Sequence, residues 1–245
     1  MSPEEKKGVA TRIALIHATA LAMAPIQTAF ASHWPQAQCM NVLDDSLSAD
    51  LAEVGSLRPQ MVQRFVDLAH YAQRTGCQGI LFTCSAFGPA IEAAAAATGL
   101  PTLKPNQAMF EEALDWCARK GAANATGQQA TIGLIATFAA SLPSMSQELL
   151  ALAHARGQTI DLKTVWVPEA MQDLARGQDQ LHHQKIAAAS QTLRHRQVVM
   201  LAQFSMAAAQ HAVQAVFDAG PQPAPRLLTS PDCAVKALLK RLSHD

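Results

Sequence analysis

Short apolar runs alternate with longer segments of helical periodicity along most of the chain. Residues 80–82 (Ile-Leu-Phe) form an uncharged apolar run, the pattern of a strand buried on both faces of a parallel sheet. Residues 57–74 instead place Met61, Phe65 and Leu68 at helical spacing. Strands that alternate with helices in this way favour a parallel sheet with right-handed crossovers.

The same alternation continues along the chain and predicts an α/β protein of eight strands and eight helices. The predicted strands are residues 13–17, 39–43, 80–82, 101–105, 131–137, 162–166, 198–202 and 225–229. The predicted helices are residues 24–33, 57–74, 89–98, 106–119, 144–156, 184–195, 206–218 and 234–242. Residues 1–10 are polar, and residues 121–130 (GAANATGQQA) are the one convincing linker.

The order of elements repeats across that linker. Ile13 and Cys84 are 71 positions apart, and Ile132 and Gln203 are also 71 positions apart. We therefore predict two pseudo-symmetric doubly wound parallel-sheet domains, duplicated flavodoxin-like βα units, with the active site in the cleft between them. We assign residues 1–105 plus 230–245 to the first domain and residues 106–229 to the second.

Composition and charge exclude several classes of function. Nineteen basic and nineteen acidic side chains cancel, so no electrostatic footprint for nucleic acid or an anionic membrane is visible. No apolar stretch approaches the ~18 residues that a membrane span needs. Residues 6–22 faintly resemble a signal peptide, but His17 and Thr19 interrupt the run and we interpret it as the first strand. Five cysteines without metal-ligand spacing predict reduced thiols, no metal site and a cytoplasmic location.

Cys84 is the strongest catalytic candidate. It follows the apolar strand at 80–82 and precedes a predicted helix that opens with Gly88 and Pro89. In open α/β sheets ligands bind at the carboxyl ends of the strands. A helix dipole and free N–H groups at that position favour a thiolate. The alternative is that Cys84 is a buried structural cysteine, but its position at a strand end favours a reactive cysteine.

The chain resembles the aspartate/glutamate racemase superfamily, which includes hydantoin racemases, maleate isomerases and arylmalonate decarboxylases. The resemblance spans about residues 11–242 and is most specific at residues 82–86 (FTCSA) and 199–205 (VMLAQFS). It implies that each half supplies one cysteine at the end of its third strand, and that the two thiols act on opposite faces of the substrate α-carbon. It also implies that no cofactor is used, and it suggests a homodimer.

The sequence departs from that pattern at the second cysteine, where Gln203 stands. A glutamine amide donates hydrogen bonds but has no proton affinity near neutrality, so a two-thiol racemisation is excluded. Three mechanisms stay open. Another residue, with His17 and Asp45 as candidates, supplies the opposite acid or base; Cys84 alone protonates an enediolate made by decarboxylation; or Cys84 attacks the substrate covalently.

The remaining site candidates flank these two positions. Thr19, Asp45, Ser85 and the backbone of Ala86 are expected to bind substrate in the first half. In the second half the pseudo-symmetric positions are Phe204 and Ser205, and the resemblance adds Thr137 and Phe138, the latter lacking the phenol hydroxyl of the family's Thr-x-Tyr element.

These observations predict a racemase or isomerase acting at the α-carbon of a small carboxylate or amino-acid derivative, with Cys84 as its single catalytic cysteine. An arylmalonate-decarboxylase-like lyase is the second hypothesis. A non-catalytic carboxylate-binding protein, in which the lost cysteine left a receptor, is the third.

Overall fold

The structure is a computed structural model that describes residues 11–124, 129–220 and 223–243. Two four-stranded sheets lie in this part of the chain, and every pair of neighbouring strands is parallel. The strands are β1 Arg12–His17, β2 Gln38–Leu43, β3 Gly79–Phe82, β4 Thr102–Leu103, β5 Ala130–Ala136, β6 Ile160–Trp166, β7 Val198–Leu201 and β8 Arg226–Thr229.

The two sheets have the same topology. Their strand orders are β2-β1-β3-β4 and β6-β5-β7-β8. The registers also correspond, since Ile13 pairs with Gly79 in the first sheet and Ile132 pairs with Val198 in the second. The predicted duplicated α/β fold is therefore confirmed.

Helices flank both sheets. The α-helices are α1 Met23–His33, α2 Ser46–Val54, α3 Pro59–Arg74, α4 Gly88–Thr98, α5 Gln107–Asn124, α6 Leu142–Ala155, α7 Ala170–Ala175, α8 Asp179–Ser190, α9 Gln210–Asp218 and α10 Ser230–Leu242. Short 3₁₀ turns lead into several of them, among them Ser85–Phe87 before α4 and Phe204–Ala209 before α9.

The central strands are the most deeply buried elements. All four residues of β3 and all four of β7 are buried, as expected for strands covered by helices on both faces. Burying such continuous apolar runs drives the folding of each half, because each fully buried aliphatic side chain contributes about 1.5–3 kcal/mol.

Two helices cross from one half to the other. Helix α5 follows β4 of the first sheet, yet its Met109 and Phe110 pack in one core with Ile132 of the second sheet. Helix α10 follows β8 of the second sheet, yet its Val235 packs in one core with Leu15 of the first sheet. Each half therefore completes the core of the other.

The helices differ from the predicted set at two places. The sequence-based prediction has no helix between residues 43 and 57, whereas α2 begins at Ser46 and buries Leu47 and Leu51, one turn apart, on one face. It begins a helix at residue 184, whereas α7 and α8 occupy this region and α8 starts at Asp179. The linker predicted at residues 121–130 falls partly outside the described residues. Within the described residues, no helix combines the length and the apolar character that crossing a membrane requires.

Candidate active site

A cavity of about 330 Å³ lies between the two halves, at the carboxyl ends of the central strands. Both halves contribute to its wall. Its lining residues are Thr19, Leu21, Ala22, Ser48, Ala49, Ala52, Thr83, Cys84, Ser85, Phe138, Met171, Gln203, Phe204 and Ser205. This volume falls in the range of about 300–1,000 Å³ that small-molecule sites occupy.

Cys84 lies just beyond β3 and directly before the 3₁₀ turn Ser85–Phe87. Its backbone is extended, with φ −114° and ψ 117°, and its half-buried side chain lines the cavity. Burial raises the pKa of the Cys84 thiol, while the backbone N–H of Ala86 and the hydroxyl of Ser48 lower it less strongly.

The expectation of a thiolate at this position is therefore not met. The loss of water around the sulfur outweighs the two hydrogen bonds that stabilise its charged form, since desolvation disfavours the charged state. Cys84 at rest is a protonated thiol, and in that state it is a proton donor.

Gln203 occupies the equivalent position of the second half, directly before the 3₁₀ turn Phe204–Ala209. Its Oε1 accepts from the backbone N–H of Thr137 at 2.9 Å, and its Nε2 donates to Oγ of Ser141 at 2.8 Å. The Ser141 hydroxyl donates onward to the carbonyl of Phe138 at 2.8 Å.

This chain of bonds fixes which way the amide faces. A backbone N–H can only donate, so the atom next to Thr137 must be the oxygen. Nε2 carries two hydrogens and uses one for Ser141, and the described residues offer no acceptor for the other. Gln203 therefore presents a hydrogen-bond donor to the cavity, with its acceptor already engaged.

His17 does not line the cavity. It is buried, with Nε2 donating to Oδ1 of Asn41 at 3.0 Å and Nδ1 accepting from the hydroxyl of Thr83 at 2.8 Å. Burial lowers its pKa, and the bond to Asn41 raises it less. Because β1 and β3 are neighbours, His17 lies on the Cys84 side of the cavity, behind Thr83. The structure does not place it as the acid or base opposite Cys84.

Asp45, Ala86 and Thr137 also lie outside the cavity lining. Asp45 is exposed at the start of α2, whereas Ala86 and Thr137 act through their contacts with Cys84 and Gln203. The other predicted residues meet at the cavity: Cys84, Gln203, Thr19, Ser85, Phe138, Phe204 and Ser205.

Several lining residues were not predicted from the sequence. Helix α2 supplies Ser48, Ala49 and Ala52, and α7 supplies Met171. A signal for α2 was present, since apolar residues four positions apart precede Gly55, which ends the helix with φ +73°. Met171 comes from a helix of six residues, too short to be recognised by periodicity.

The cavity wall is neutral. Its polar groups are the thiol of Cys84, the amide of Gln203 and the hydroxyls of five residues: Thr19, Ser48, Thr83, Ser85 and Ser205. No described residue that lines it is acidic, basic or a histidine. The described residues also contain no group of three or more His, Cys, Asp or Glu side chains arranged to hold a metal ion.

Comparison of sequences identified no relative: no family model and no curated protein sequence matches the chain. Comparison of structures found proteins of similar fold. A glutamate racemase of Bacillus anthracis superposes with a TM-score of 0.69 at 13% identity, covering 96% of this chain and 82% of that one. An allantoin racemase of Klebsiella pneumoniae gives 0.64 at 14% identity over 96% and 88%.

An arylmalonate decarboxylase is similar too, with a TM-score of 0.57 at 12% identity, covering 94% of this chain and 91% of that one. These similar structures include isomerases and a lyase, so the likeness at this level of identity is one of fold. The chain has the fold of the aspartate/glutamate racemase superfamily, as its sequence pattern indicated.

Proposed function

We propose that the protein is a cofactor-independent enzyme that transfers a proton at the α-carbon of a small carboxylate, with Cys84 as its single proton carrier. The observation that supports this most is the pairing of one thiol with one oriented amide donor across a cavity of ligand size. The similar racemases and decarboxylase share this fold, which agrees with chemistry of this class.

The roles follow from the chemistry of the two groups. The Cys84 thiol first gives its proton to water. The resulting thiolate takes the α-proton, and the electron pair of the broken C–H bond moves into the carboxylate to form an enediolate. Gln203 donates its N–H to an oxygen that gains charge in this step, a use of preorganised donors that lowers transition-state energies. Cys84 then returns a proton to the same face of the carbon.

Transfer on one face exchanges the α-proton without inverting the centre. None of the cavity-lining residues opposite Cys84 is able to take or give a proton near neutral pH. We therefore expect exchange with retention of configuration, and inversion or double-bond isomerisation only where the substrate itself turns within the cavity.

The test is α-proton exchange in deuterated water, followed by proton NMR over a panel of small carboxylates. Loss of a positioned acid–base group lowers rates by about 10²–10⁴-fold, so Cys84→Ala should abolish measurable exchange. Cys39→Ala is the matched control, because Cys39 lies on β2 and does not line the cavity. Exchange that survives in Cys84→Ala would contradict the proposal.

Gln203→Cys tests the opposite wall. A second thiol there should convert exchange with retention into racemisation, measured as loss of optical activity in the same samples. Unchanged retention in a folded Gln203→Cys variant would count against the assignment of Gln203 to the wall facing Cys84.

Decarboxylation is the second candidate function, and the protonated state of Cys84 favours it. A malonate-type acid forms its own enediolate when the bond to one carboxylate breaks and carbon dioxide leaves. Cys84 then needs only to give its proton to the carbon and to regain one from water. Release of carbon dioxide from substituted malonates, absent in Cys84→Ala, would identify this reaction.

A further inference from the structure

No carboxylate lines the described cavity wall, and this bears on what the cavity accepts. Carboxylates are present on or beside α2 and α7, two helices that line the cavity, and Glu53 of α2 is exposed to solvent. Asp44 and Asp50 both accept hydrogen bonds from the guanidinium of Arg64. Glu169 and Asp173 both pair with Lys185, at 3.2 and 2.6 Å.

The amide oxygen in the cavity wall is also engaged. Oε1 of Gln203 is held by the backbone N–H of Thr137, at 2.9 Å. Asp45 is exposed and does not line the cavity. The described wall therefore offers hydroxyls and the free N–H of Gln203 as donors to an anion, whereas a cation would meet only neutral hydroxyl oxygens and no carboxylate.

The rest of the lining is apolar. Leu21, Ala22, Phe138, Met171 and Phe204 come from both halves, and Ala49 and Ala52 come from α2. An ammonium group placed in this cavity would find neutral hydroxyl oxygens but no counter-charge, and a buried charge without an opposite charge is strongly unfavourable. An alkyl substituent of the same size would gain from burial.

We infer that the substrate is a small acid that carries an apolar substituent and no ammonium group at its α-carbon, so that free α-amino acids are excluded. This inference rests on the proposed function, because it names the substrate class of the same cavity. It also assigns a specificity role to α2, whose Ala49 and Ala52 stand where an acidic residue would pair with an ammonium group.

The experiment compares two acids of the same shape. Leucine and 2,4-dimethylpentanoate differ only in an ammonium group or a methyl group on the α-carbon. Binding of both enantiomers of each to the full chain is measured by isothermal titration calorimetry at pH 7.5. We expect 2,4-dimethylpentanoate to bind at least tenfold more tightly than leucine. Equal or tighter binding of leucine would overturn the inference, and so would failure of both acids to bind.

A substitution at the mouth of the cavity tests the cause. Ala52 is exposed on α2, so a charged side chain is tolerated there by the fold. Ala52→Asp should bind leucine more tightly, and so narrow or reverse the preference for 2,4-dimethylpentanoate over leucine. The uncharged Ala52→Asn should leave that preference unchanged. The same change in this preference in both variants, or no change in either, would contradict the electrostatic cause.

The binding measurement also separates this inference from the proposed function. Cys84→Ala should keep the preference for 2,4-dimethylpentanoate over leucine while exchanging no α-proton. If the unmodified chain prefers 2,4-dimethylpentanoate but exchanges no α-proton, the catalytic proposal alone is refuted. Exchange on free amino acids would refute the substrate inference alone.

Discussion

His182 should make the protein lose stability in mild acid. Helix α8 starts five residues earlier than predicted and directs His182 to the same buried face as Ile186 and Ser190. Its side chain is fully buried, and neither ring nitrogen has a hydrogen-bond partner in the described structure. Burial, reinforced by the neighbouring His183, lowers the pKa of His182 from 6.5 to about 4, although Asp179 and Asp173 oppose the change.

The sign and size of the effect follow from linkage. The unfolded chain takes up a proton at this histidine as the pH falls through 6.5, while the native state keeps the ring neutral down to about pH 4. The unfolded state therefore binds more protons in this window, and stability falls as the pH falls. Full protonation below that window corresponds to a loss of about 3 kcal/mol, and the part lost between pH 7.5 and 4.5 is about 2.5 kcal/mol.

The assay is urea unfolding of the unmodified chain and of His182→Leu at intervals from pH 7.5 to 4.5. The free energy of unfolding of the unmodified chain should fall by about 2.5 kcal/mol more than that of the variant, because only this titration differs between them. His211→Leu, at an exposed position of α9, is the matched control and should follow the unmodified chain.

One result, checked in two variants, would refute the reasoning. Parallel stability curves for the unmodified chain and His182→Leu would show that the ring does not titrate differently in the two states. If the leucine packs poorly, His182→Gln provides a second uncharged variant of similar shape. If the difference in unfolding free energy between the unmodified chain and each variant does not change with pH, the buried imidazole has no role in the acid sensitivity.

Three further outcomes test the rest of the structure. Gly133→Ala should destabilise the chain by about 1–3 kcal/mol, measured by urea unfolding, because a Cβ there lies 2.8 Å from Cδ1 of the buried Leu193. Ser141→Ala removes one hydrogen bond that orients Gln203, worth about 1 kcal/mol, so kcat for α-proton exchange should fall about fivefold with a smaller change in KM. Exchange should accelerate as the pH rises above the ordinary thiol range, because burial raises the pKa of Cys84 and its thiolate is the base, whereas decarboxylation should slow over the same range.

The duplicated fold was predictable from the chain because its central strands are continuous apolar runs. Residues 80–82 and 198–202 carry no charge. Cys84 and Gln203, which follow them, each lie 71 positions after Ile13 and Ile132 respectively, and this equal spacing reveals the repeat in the sequence alone. The matching strand registers of the two sheets confirm that repeat. The same spacing placed Gln203 opposite Cys84, and both residues line one cavity.

The contacts behind the strand ends were not predictable in the same way. His17 ends β1 as expected, but its ring turns to Asn41 and Thr83, and the direction of a strand-end side chain depends on register rather than on residue type. The raised pKa of Cys84 was not predictable either, since the nearby helix N-terminus suggested the opposite direction and burial decided it.

The crossing of α5 and α10 bears on how the chain folds. Each half has part of its core completed by a helix that follows the last strand of the other half. Neither half of the present protein is then a self-sufficient folding unit, and fragments separated between α5 and β5 should be insoluble singly and recover their structure only when combined.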